Sequence, residues 1–136
     1  MNTTAPEGLI TIPSNFGPEE TISRLEKEII AQGIHIFAHI DHAAGAGSVG
    51  LTLRPTTVIL FGSPRGGTPL MQANQTIGID LPLKALVWQD ANSKTFLSYN
   101  DPAWLAKRHG VTGLERATAT LGQALSTIAA KATQTA

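Results

Sequence analysis

The sequence predicts an α+β domain in two layers, an antiparallel sheet backed by helices. Three observations lead there. Runs of period two and runs of period near 3.6 follow one another as β, α, β, β, short α, β, β, α, α; two of the β runs flank a turn of hairpin length; and the helical patterns gather towards the two ends of the chain. Helices gathered in this way favour an antiparallel sheet over a doubly wound parallel one.

Gly8 to Ile12 reads as a short strand ending at Pro13. Gly17-Pro18-Glu19-Glu20 opens the first helix, with proline at its first position and acids in the first turn. Ile22, Leu25, Ile29 and Ile30 form its apolar face, and Gly33 stops it. From Ile34 the period changes to two. Ile34, Ile36, Ala38 and Ile40 are expected on one face, and His35, Phe37, His39 and Asp41 on the other. Thr56 to Phe61 is apolar on both faces and belongs inside the sheet.

Thr68-Pro69 reads as the start of a short helix running to about Ile77, with Thr68 as its N-cap. Leu83 to Gln89 and Thr95 to Tyr99 pair as a hairpin about Asp90-Ala91-Asn92-Ser93-Lys94. Asp101-Pro102 opens the next helix, which carries Lys107, Arg108 and His109 in its last turn and stops at Gly110. Leu114, Thr118, Leu121, Leu125 and Ile128 form one stripe on a terminal amphipathic helix over about 113–133, to be packed on the sheet or on a partner chain. Residues 1–136 read as a single domain with no internal repeat and no linker.

Composition removes several function classes. The chain has no Cys, which excludes thiol nucleophiles and Cys-based metal centres and suits a reducing cytoplasm. Ten basic residues balance ten acidic ones and only 15% of residues are charged, so no net field draws nucleic acid or an anionic membrane. No run approaches the roughly 20 apolar residues of a membrane span, and Met1 to Asn15 lacks an export signal. The expectation is a soluble cytoplasmic protein.

One stretch concentrates chemistry: His39-Ile40-Asp41-His42-Ala43-Ala44-Gly45-Ala46-Gly47-Ser48-Val49-Gly50. Its glycines spell the dinucleotide fingerprint, but Pro55 follows too soon for a crossover helix and no acid occurs between His42 and Asp80. A flexible or tightly turned loop is the expectation instead. His39, Asp41 and His42 are residue types that suit a divalent metal, or that act as acid and base with Asp41 orienting an imidazole. The structural alternative is that they hydrogen-bond locally and fix the strand end. A second string, Gly62-Ser63-Pro64-Arg65-Gly66-Gly67-Thr68, has P-loop spacing without its lysine. What remains is Arg65 and glycine-rich amides before Thr68, placed to meet a carboxylate or phosphate. Tyr99 is a further pocket residue, while Trp88 and Trp104 read as core or interface.

Taken together, "HIDHAAGA", "GLTLRPTTVILFGSPRGGTPLM", "IGIDLPLKALVWQD" and "YNDPAWLAKRHG" resemble the bacterial and archaeal domain of unknown function family 302 over a core of about 34–110. The resemblance rests on His39, Asp41, His42, Arg54, Pro55, Phe61, Gly62, Pro64, Thr68, Pro69, Asp80, Leu81, Pro82, Tyr99, Asp101 and Pro102, with Ser63 where many relatives carry Asn. It implies a TATA-binding-protein-like two-layer fold and dimers, and brings no reaction. The combined expectation is a homodimeric ligand-binding or interaction module with a polar site of His39, Asp41, His42, Arg65, Thr68 and Tyr99. A small molecule or anion is the expected partner, and neither nucleic acid nor membrane. The alternatives are a metal-dependent or acid–base enzyme on His39, Asp41 and His42, with a divalent metal as its cofactor, and a structural assembly domain.

Overall fold

The run Thr56-Thr57-Val58-Ile59-Leu60-Phe61 is rich in β-branched side chains, which fit a pleated surface, and apolar on both sides. It becomes the interior strand β3 of a five-stranded sheet whose neighbouring strands are all antiparallel. The computed structural model describes residues 5–135. Its strands are β1 (Leu9–Pro13), β2 (His35–Asp41), β3 (Thr56–Gly62), β4 (Leu83–Gln89) and β5 (Thr95–Asn100), in the spatial order β1-β5-β4-β3-β2. The helices are α1 (Pro18–Ala31), α2 (His42–Ser48), α3 (Pro64–Ala73), α4 (Pro102–Arg108) and α5 (Glu115–Thr133), with a 3₁₀ helix at Gln75–Asp80. The α+β architecture is the one expected.

Alternation sends Ile59 and Phe61 of β3, Ala85 and Val87 of β4, and Leu97 and Tyr99 of β5 to one face. There they meet Leu25 and Ile29 of α1 and Leu125, Ile128, Ala129 and Ala132 of α5 in the main core. The terminal helix thus covers the chain's own sheet. Ile30, expected on the same stripe as Leu25 and Ile29, is instead 64% exposed, and buried Thr21 completes the inner face of α1 through hydrogen bonds to Gly17 O and Ser14 Oγ. The opposite sheet face carries Val58, Leu60, Leu86, Trp88 and Phe96, all half-buried, with Trp88 stacked on Phe96 and donating to Ser98 Oγ.

Three local expectations change. In β2, Ile36 opposes Phe61 but Ala38 opposes Leu60, so Phe37 is an inserted residue and the faces exchange beyond it. Ala38 and Ile40 therefore leave the core side, which His39 and Asp41 take up, opposite Ile59 and Thr57. Strict alternation fails because β2 is an edge strand, where a bulge disturbs only one neighbour. The stretch after Asp41, expected as a loop, is helix α2: the Asp41 carboxylate accepts from Ala44 N at 2.9 Å, and alanines between the glycines supply helix propensity. The third helix starts at Pro64, a turn before the expected Thr68. Ser63 is the cap, Pro64 takes the first-turn position that costs no hydrogen bond, and Pro69 lies inside.

A second cluster, Leu70, Ile77 and Leu105 with Met71, Leu81, Trp104, Val111, Leu114 and Leu121, joins α3, the 3₁₀ helix and α4. Trp104 also packs on Gly8, whose φ is +77° and whose absent Cβ would lie 2.2 Å from the indole. Gly8→Ala is accordingly expected to destabilise the fold by about 2 kcal/mol or more through strain and overlap. Urea denaturation checks this, and a change within about 0.5 kcal/mol of wild type contradicts it.

Candidate functional site

Where β3 ends, the chain turns sharply through Gly62 and Ser63 into α3 and returns to the sheet through the cis Leu81–Pro82 bond that leads into β4. These turns leave a cavity of about 760 Å³ at the end of the sheet. Its walls are mainly apolar: Ile34 and Phe37 beside β2, Leu60 of β3, Met71 of α3, Leu81 to Leu83, and Leu121 of α5. Gly66 and Gly67 also line it, and their missing side chains leave its space open. A Cβ on Gly67 would sit in ordinary contact with Leu81 and Met71, whereas one on Gly66 would press on Leu121 at 3.1 Å.

Beside the cavity, Asp80 fastens the 3₁₀ helix to the end of α4. Its Oδ2 accepts from Arg108 Nη1 at 2.6 Å and from His109 Nε2 at 2.5 Å. Burial pulls this carboxyl upward, but the hydrogen bonds and charges of His109 and Arg108 outweigh burial and hold it below its ordinary 3.8. His109 Nδ1 meets Thr76 Oγ1 at 2.9 Å. Thr76, His109 and Asp80 have the residue types of a nucleophile relay, yet the Thr76 hydroxyl donates to Asn74 Oδ1 and its oxygen is left to accept from the imidazole. The assembly is a clamp. Lys84, opposite Leu60 on β4, donates to Pro82 O at 2.9 Å and Asp80 O at 3.3 Å. Burial lowers its ammonium below the ordinary 10.5, opposed by the charge of Asp80.

The residues singled out in the sequence are not brought into one site. Thr68 lines the cavity, and Arg65 lies in the first turn of α3 between the lining residues Pro64 and Gly66. The amides of Gly66 and Gly67 bond to Ser63 O and that of Arg65 to Ser63 Oγ, so this loop does not hold them out to an anion. Along β2, at ~3.3 Å per residue, His39 lies roughly 7 Å and Asp41 roughly 13 Å beyond the lining residue Phe37, and His42 opens α2; none of the three lines the cavity. His39 Nδ1 is 3.5 Å from Glu26 on α1, and Asp41 caps α2. Among the described residues no three His, Cys, Asp or Glu side chains are placed to hold a metal ion, the expected trio included. Tyr99 is buried on the helix-covered face, with burial first and the charge of Asp101 second raising its hydroxyl above 10.0 against a hydrogen bond with Ser126.

The Asp80 clamp and the contacts of Lys84 are not legible in the sequence. Asp80 and His109 are 29 residues apart, and only the pairing of basic side chains at the end of α4 with one isolated carboxylate hinted at the contact.

The family model described as Domain of unknown function DUF302 matches residues 10–130. The chain belongs to that family. A solved DUF302 relative, described as an uncharacterized conserved protein from Bacillus stearothermophilus, superposes with a TM-score of 0.84 at 21% identity, covering 93% of this chain and 99% of its own, so the fold is shared. Two longer proteins are also similar. "Fluoride-specific ion channel FluC 1" of Brucella suis biovar 1 is 48% identical over 104 residues, 76% of this chain and 41% of the relative. "Fluoride-specific ion channel FluC 2" of Brucella melitensis biotype 1 is 48% identical over the same length, 38% of that relative. The DUF302 chain thus spans about two fifths of the length of the curated relatives it matches.

For the clamp the sign follows from the depressed carboxyl: its stabilisation is complete above the unfolded carboxyl's range near 4 and is lost as the pH falls through the lower folded value. Asp80→Asn is expected to cost about 1–2 kcal/mol at pH 7 and progressively less towards pH 2. Urea midpoints of both proteins across that range check it, and a cost that does not change with pH rejects the clamp.

Proposed function

We propose that this DUF302 chain is a cytoplasmic, homodimeric binding module that takes a small apolar molecule in the cavity beside the glycine-containing start of α3. The observation that carries this reading is the cavity itself. At about 760 Å³ it lies within the roughly 300–1,000 Å³ of small-molecule sites, and its lining joins aliphatic and aromatic side chains to the polar positions Ser63 and Thr68. A glycine pair on α3 supports the reading, since two side chains there would occupy the same space. Dimerisation is supported by the sheet face away from the helices, where Val58, Leu86, Trp88 and Phe96 are half-buried and Ile40 is 43% exposed.

Nile red, a neutral apolar dye, is the probe. Wild type is expected to bind it, and Gly67→Leu, which fills the cavity from a helical position, is expected to weaken binding by about fivefold or more with the melting temperature kept. Phe37→Asp at the mouth, where the side chain is 54% exposed, should do the same. Unchanged dye binding in both variants overturns the cavity reading. For the dimer, light scattering should give twice the chain mass, and Ile40→Glu should shift it towards monomer. A monomeric wild type removes that part of the proposal.

A second reading draws on the Brucella relatives. They are named as fluoride channels, while the segment they share with this chain is about two fifths of their length. Among the described residues no helix is long and apolar enough to cross a membrane. On this reading the shared segment is an accessory domain of those proteins, and this chain is an accessory module for such a channel. Added to liposomes carrying the channel, it should change fluoride efflux by about twofold or more. Unchanged efflux rejects the reading.

A further inference from the structure

We infer that the cavity is built for an amphiphilic carboxylate, its apolar chain held by Phe37, Leu60, Met71, Leu81 and Leu121 and its head group paired with Lys84 at the rim. The inference rests on the reading of this cavity as a ligand site and adds the charge of the ligand's head.

Four observations support it. Lys84 stands directly across from Leu60 on the adjacent strand, and such opposed side chains lie on one face about 5 Å apart. Leu60, Pro82 and Leu83 all line the cavity, and the ammonium is anchored on the Pro82 carbonyl at 2.9 Å. Two of its three N–H groups are used on carbonyls, which leaves one donor, and among the described residues no carboxylate lies within 4.0 Å of it. A half-buried ammonium with no carboxylate in contact, helped only by the more distant charge of Asp80, keeps a desolvation cost that an incoming carboxylate offsets.

The remaining charges agree in sign. Between residues 62 and 84, the segment that forms most of the wall, the charged side chains are Arg65, Asp80 and Lys84. Asp80, the one acid, is committed to Arg108 and His109. Arg65 and Lys84 are not themselves lining residues, but each adjoins them in the chain, and neither has an ion-pair partner among the described residues. The first amides of α3 are occupied by Ser63, so selection for an anion falls to the lysine and not to the helix terminus.

The test compares dodecanoate with dodecanol, equal chains with charged and neutral heads, by titration calorimetry below their aggregation limits. Wild type is expected to bind dodecanoate about tenfold or more tightly than dodecanol, one charge-assisted hydrogen bond's worth. Lys84→Met should bring the two within about twofold by weakening dodecanoate alone, and Lys84→Arg should retain the preference. Equal affinities in wild type overturn the inference and leave the cavity as an apolar site, and a preference that survives Lys84→Met overturns the role of Lys84. Binding of neither compound overturns the cavity reading together with this inference.

Discussion

The fold depends on the burial of Phe61 and Ile59 on one face of β3. Neither side chain keeps any exposed surface, and both meet α1 and α5 through the main core. Each such side chain contributes on the order of 2–3 kcal/mol by leaving water, and a shift of β3 by one residue would turn both out of the core. The register of β3 is thereby set, and with it the partners His35 to Gly62 on one side and Leu83 to Phe61 on the other. The point at which β3 must stop is set as well. Gly62, Ser63 and Pro64 end it where α3 begins, and the cavity lies in that corner.

A second constraint works at right angles to the first. The short helices α3 and α4 and the 3₁₀ helix bury few large side chains, Leu70, Ile77 and Leu105 among them, which is a small core for three elements. Polar contacts make up the difference. Asn74 caps the 3₁₀ helix through Thr76 N and donates to His109 O, while Asp80 binds both basic residues at the end of α4. The partly desolvated position of Asp80 makes these charge-assisted bonds worth more than exposed ion pairs such as Arg24 with Glu20. Asp80 also bears on Lys84, which donates to the Asp80 carbonyl and feels the charge of its carboxylate.

The length of β2 separates two groups of residues that composition alone would unite. Its first residues border the cavity and its last residue caps α2, so the imidazoles and the glycine-rich loop share a strand pair without sharing a site. The bulge at Phe37 is what links β2 to the cavity at all. By adding one residue to an edge strand it places an aromatic ring at the mouth and sends His39 to the α1 side, against Glu26.

Local chemistry was enough to establish most of the elements. Proline and acids opening α1, the Asp101-Pro102 start of α4, the hairpin turn Asp90 to Lys94 and the stripe on α5 each act within a few residues, and the structure keeps all four. The strings "FGSPRGGTPLM" and "YNDPAWLAKRHG" likewise carry the family without reference to coordinates. What only the tertiary structure decided are the relations across long separations. Which face of β2 each residue takes depends on the bulge at Phe37 in its pairing with β3; the partner of His109 is an acid 29 residues away; and the cavity is the space between segments that meet only when the sheet is assembled. Periodicity reports which side of an element avoids water, but a cavity and a clamp arise from distances between elements, and these are set by packing.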